Sequence, residues 1–142
     1  MNIASVMTRD VNVISPGAPL SQAAQMMDEL NVGVLPVCDG SRLVGMITDR
    51  DIAVRATAAG QSPTDAHVAD AMTQEVIWCF EDDDVDEVLD RMADVQIRRV
   101  PVLDHDKHLV GIVSLGDLAT KGDGADIEET LEEISTPSQP DR

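Results

Sequence analysis

The chain states one pattern twice. Ile3-Ala4-Ser5-Val6-Met7-Thr8 returns 65 residues later as Val68-Ala69-Asp70-Ala71-Met72-Thr73, and Leu35-Pro36-Val37 returns as Val100-Pro101-Val102. Leu43-Val44-Gly45-Met46-Ile47-Thr48-Asp49-Arg50-Asp51 then returns as Leu109-Val110-Gly111-Ile112-Val113-Ser114-Leu115-Gly116-Asp117, with the offset grown by one because the second inter-strand loop is longer. Such a repeat dictates a pseudo-symmetric architecture before any local propensity is weighed. At 142 residues in all, each half is too small to bury an adequate core alone, so the halves are expected to fold as a pair.

Periodicity fills in each copy. Leu20, Ala23, Ala24, Met27 and Leu30 fall at helical spacing, and Val85, Val88, Leu89, Met92 and Val95 repeat the stripe, which predicts one amphipathic helix per half. Pro19 stands near the start of the first helix, and Asp82, Asp83 and Asp84 precede the second as an expected cap at the positive end of its dipole. Short apolar runs at 34–38 and 43–48, and at 100–103 and 109–114, are separated by polar turns and read as hairpins. Extended pieces at 11–14 and 76–79 precede the helices, and helix-like segments at 51–59 and 115–119 follow the hairpins. The fold class is therefore α+β, each half running β-α-β-β-α. The domains are a first repeat over 1–58, a linker over 59–67 rich in small and turn-forming residues, a second repeat over 68–120, and an acidic tail over 121–142 with a short helix expected at 126–134.

Charge narrows the partners. Twenty-seven acidic residues against ten basic ones leave a net charge of -17, and Lys107 and Lys121 are the only lysines. That surface repels nucleic acid and anionic membranes, and it is also what a salt-rich host cytoplasm would tolerate. No run approaches a membrane span and no secretory signal opens the chain, so a cytoplasmic protein is expected.

The repeated ending offers two chemistries. A carboxylate at a helix start can accept both hydroxyls of a ribose, with a hydroxyl three residues earlier bonding a sugar or phosphate oxygen. Thr48 with Asp51, and Ser114 with Asp117, fit those roles, and they fit an ordinary helix cap equally. Gly45 and Gly111 would let the strand bend or another backbone approach. Nothing resembles a nucleophile turn or a phosphate loop, so no enzyme is expected. Cys38 and Cys79 lack metal or redox spacing and read as buried thiols. His105 and His108 sit in a polar turn, without the rigid support a metal would need.

The ordered set, a Met-Thr start, an amphipathic helix, a Leu/Val-Pro-Val strand and Leu-Val-Gly-x-x-Thr/Ser-x-x-Asp, all given twice, resembles a tandem pair of cystathionine-β-synthase (CBS) domains over residues 1–120. The resemblance implies two repeats packed through their sheets, with clefts that accept adenosine compounds: AMP, ADP, ATP, NAD or S-adenosylmethionine, none of them a required cofactor. It implies a homodimer and an outside protein partner. It assigns ribose to Asp51 and Asp117, phosphate to Arg98 and Arg99, and adenine to Thr8, Arg9, Asp10 and Val11 in one repeat and to Thr73, Glu75, Val76 and Ile77 in the other. The positions matching Arg98 and Arg99 are Gly33 and Val34, so the two clefts are expected to be unequal, one equipped for a charged nucleotide and the poorer one either empty or suited to an uncharged adenosyl group. Trp78 answers to Val13 and is expected in the core or at a dimer face. Two functions remain open: a ligand sensor signalling through conformation or dimer packing, and a constitutive oligomerisation or docking protein.

Overall fold

Each hairpin turns one apolar row toward its own helix, and this alternation builds two separate cores. The structure, a computed structural model, describes residues 1–121; the helix expected at 126–134 lies outside the described residues. The chain divides into two compact units, one formed by 12–76 and the other by 1–11 together with the chain from residue 77 onward. The cut does not follow the repeats, because each repeat lends its opening Met-Thr segment to the unit built on the other repeat's hairpin.

In the 12–76 unit, helix α1 (Leu20–Leu30) starts directly after Pro19 and ends where Asn31 adopts φ 55°. Asn is among the few side chains that tolerate this left-handed stop. The hairpin pairs β1 (Val34–Asp39) with β2 (Arg42–Thr48), with a register shift after Val37. Leu35, Val37 and Ile47 point into a core with Leu20, Ala23 and Met27. Val68 and Ala71, from the short helix α2 (Val68–Ala71), complete that core. The expected strand at 11–14 reduces to a single parallel bridge from Ile14 to Val37. Asp51–Ala56 is helical as expected but wound as a π-helix, with the Thr57 N–H reaching back five residues to the Ile52 carbonyl.

The other unit repeats the plan. A two-residue strand β3 (Cys79–Phe80) pairs in parallel with β4 (Arg99–Leu103), which pairs antiparallel with β5 (Leu109–Ser114). Helix α3 (Val85–Val95) buries Val85, Val88, Leu89 and Met92 against Val100, Val102 and Val113. Helix α4 (Leu115–Lys121) follows β5 without a break. Ile3, Val6 and Met7 fill the places that Val68, Ala71 and Met72 take in the first unit.

The acids before α3 do not cap it by side-chain bonds. Asp84 occupies the N-cap position without a capping hydrogen bond, Asp83 accepts the Phe80 N–H at 2.9 Å, and Asp82 turns to His105. Acids inside the first turn, Asp86 and Glu87, take the dipole role instead. Both cysteines are free and buried, and burial, with Asp83 next in effect, pushes the Cys79 thiol up to about 12. Such a thiol is inert at neutral pH.

Candidate functional site

The register of β4 and β5 sets Arg99 directly opposite Ser114, and Pro101 opposite Ile112. Opposed residues of an antiparallel pair share a face, and this is the face turned away from Val100, Val102 and Val113 in the core. The Met-Thr segment of the first repeat pairs with the free edge of β5. Thr8 donates its N–H to the Ile112 carbonyl at 2.8 Å and accepts the Ile112 N–H at 3.0 Å. Its hydroxyl donates to Asp117 Oδ2 at 3.4 Å. Ser114 and Asp117 bond reciprocally, the Ser114 N–H donating to Asp117 Oδ2 at 3.1 Å and the Asp117 N–H donating to Ser114 Oγ at 3.1 Å. Arg98 is held by its backbone, its carbonyl accepting the Leu115 N–H at 3.0 Å. Thr8, Arg99, Ser114 and the half-buried Asp117 thus gather at one end of one hairpin.

The 12–76 unit holds the matching constellation. Thr73 exchanges two backbone hydrogen bonds with Met46, at 2.8 and 3.0 Å. Thr48 and Asp51 cap each other at 3.0 Å in both directions. Val34 lies opposite Thr48, where Arg99 lies opposite Ser114. At Gly33, the position matching Arg98, a Cβ would meet the Asp49 carboxylate at 3.1 Å. At the two positions that carry Arg98 and Arg99 in one unit, the other has a glycine beside an acid and an apolar residue.

The residues singled out from the sequence therefore sort into two sets, Thr8, Val11, Arg98, Arg99, Ser114 and Asp117 in one unit and Thr48, Asp51, Thr73 and Val76 in the other. Ile77 falls in the unit away from Thr73 and Val76, with its side chain 39% exposed. Sequence reasoning missed the crosswise pairing of the Met-Thr segments. It also missed Arg55, whose Nε lies 3.7 Å from Asp51 Oδ1 and whose Nη1 donates to the Met72 carbonyl at 3.3 Å. The spacing of four residues from Asp51 along a helix was the available signal.

Two features stand apart from these sites. Trp78 meets Phe80 edge-on at 4.9 Å, His105 stacks on Phe80 at 4.3 Å, and the Lys107 ammonium lies 5.3 Å over the Trp78 ring. Asp104, Asp106 and His108 each bring one ligand atom within 4.8 Å of the others, and backbone N–H groups of Asp106 and His108 already donate to Asp104.

The His105 ring nitrogen lies 2.8 Å from Asp82, which raises the imidazole above its ordinary 6.5 and lowers the carboxyl below its ordinary 3.8. His105 contributes stability that is full below its ordinary value and lost as pH rises through the raised one; Asp82 contributes stability that is full above 3.8 and lost as pH falls through the lowered one. The pair should act between those limits. An NMR titration should place the His105 ring above 6.5, and Asp82→Asn should return it downward. An unchanged midpoint would mean that the contact does not persist in solution.

Each hairpin thus carries a hydroxyl and an aspartate at the exit of its second strand. The family model for the CBS domain matches residues 3–56 and 68–124. The chain belongs to the CBS-domain family. The CBS domain-containing protein YhcV of Bacillus subtilis is 40% identical over 121 residues, covering 83% of both chains. The crystal structure of Hypoxic Response Protein I with two coordinated zinc ions superposes with a TM-score of 0.77 at 36% identity, covering 84% of this chain and 98% of that one. The CBS domain pair of protein MJ0100, in complex with 5′-methylthioadenosine and S-adenosyl-L-methionine, gives 0.70 at 30% identity, with 84% and 98% covered. Among the described residues of this CBS protein, no helix is long and apolar enough to cross a membrane.

Proposed function

We propose that the chain is a regulatory, non-catalytic module that binds an adenine nucleotide or adenosyl cofactor and signals through conformation or dimer packing. The observation that carries this reading is the convergence of Thr8, Ser114, Asp117 and Arg99 on one hairpin end. There a ribose diol can be accepted by the carboxylate while a guanidinium faces a phosphate. The adenosyl complex of the MJ0100 pair supports the ligand class. In this reading the Asp117 site takes a charged nucleotide such as AMP, ADP, ATP or NAD. The Asp51 site, with Val34 and Asp49 in place of cations, takes an uncharged or sulfonium-bearing adenosyl group. The module works as a cytoplasmic homodimer and passes its state to a protein partner.

A constitutive oligomerisation or docking role is favoured by one observation: both Thr/Ser and Asp pairs are already engaged as helix caps. A thermal-shift panel of AMP, ADP, ATP, NAD and S-adenosylmethionine separates the two. Free ligand at about 100 times its dissociation constant stabilises a folded protein by about 2.7 kcal/mol. A sensor shows that shift with at least one of the five; a docking protein shows none.

A further inference from the structure

Asp51 is 1% exposed, and a carboxylate so deeply set requires partners. One oxygen serves the cap, accepting the Thr48 N–H. The other faces Arg55, whose half-exposed side chain crosses from Asp51 to the carbonyl of Met72. Met72 directly precedes Thr73 in the segment that runs along β2. A guanidinium can hold both oxygens at once because its donors are fixed in a planar fork. The helix that presents Arg55 is the π-wound one, whereas the segment after Ser114 is an α-helix; π-turns are frequent at functional sites.

We propose that Arg55 is a displaceable strap over the Asp51 site: in the ligand-free chain it occupies the ribose acceptor and ties it to the Met72 segment, so an adenosyl ligand must first move it. The Asp117 carboxylate has different contacts, with the Thr8 hydroxyl and the Ser114 N–H. The proposal rests on the ligand-binding reading above and adds a regulation of one of its two sites. Apparent affinity falls in proportion to the fraction of time the strap is open, so its removal strengthens binding by the inverse of that fraction.

The test uses the full chain with Asp117→Ala, which leaves only the Asp51 site, titrated calorimetrically with 5′-methylthioadenosine, an uncharged probe. Arg55→Gln added to that background should tighten binding at least tenfold. Arg55→Lys keeps the charge but cannot span both oxygens and should fall between. Thermal melts of each variant confirm folding, which an exposed side chain should not govern. Unchanged or weaker binding in the Gln variant overturns the strap, as does absence of binding in every Asp117→Ala chain when the unsubstituted protein binds AMP. An unsubstituted protein that binds no adenosine compound overturns the ligand-binding reading and the strap with it.

Discussion

Gly111→Val should cost about 3 kcal/mol or more of folding stability and release Thr8 from β5. A Cβ at Gly111 would lie 2.7 Å from Met7 Sδ and 2.8 Å from the Thr8 carbonyl oxygen. The sulfur could swing aside, but the carbonyl is backbone and accepts the Ile112 N–H at 3.0 Å. Overpacking of this kind costs about 1–3 kcal/mol, and each lost backbone hydrogen bond adds about 1 kcal/mol. Gly111 is therefore required for space, and Gly45 matches it, with the Thr73 carbonyl 2.8 Å from its virtual Cβ. Urea denaturation followed by the fluorescence of Trp78, the only tryptophan, reads the unit that contains Gly111. A midpoint within the error of the unsubstituted protein would show that the Met-Thr segment does not lie against β5.

Asp117→Asn should abolish stabilisation by a charged nucleotide such as AMP while leaving the ligand-free protein nearly as stable as before. The amide oxygen still accepts the Ser114 N–H, so the cap survives in weakened form. What disappears is the second acceptor and the charge that a ribose diol needs, and with them the stabilisation of about 2.7 kcal/mol expected at 100-fold ligand excess. Asp117→Ala differs in kind, because it also removes the carboxylate's half of the capping pair, the acceptor of the Ser114 N–H, at a cost of about 1 kcal/mol. The comparison separates the two roles of one carboxylate. An Asn variant with the full ligand shift would remove Asp117 from the binding chemistry and leave it a cap alone.

Much of this was legible from side-chain spacing. The helical stripe 20–30 and its copy at 85–95 could satisfy their apolar faces in one way only, and they form α1 and α3 at those positions. The hairpins follow equally from alternation, since Leu35, Val37 and Ile47 must be buried together and Thr48 must then face the other way. The Thr48/Asp51 and Ser114/Asp117 pairs were visible as caps or ribose ligands, and the capping bonds are present in both units. The acids at 82–84 misled because charge near a helix start says nothing of which neighbour claims it. Asp82 found His105 across 23 residues, a contact no local pattern encodes.

The sequence by itself determined that there are two copies, what elements each contains, and that each ends in a hydroxyl and a carboxylate. Only the tertiary structure decided which Met-Thr segment serves which hairpin. Ile3, Val6 and Met7 are near-equivalents of Val68, Ala71 and Met72, so either trio could fill either core, and hydrophobic burial, being non-directional, does not choose between them. The choice belongs to the chain connections and to the backbone bonds of Thr8 with Ile112 and of Thr73 with Met46. It brings a residue from each repeat to each candidate site, and it places Arg55 where it can reach both Asp51 and the segment beside it.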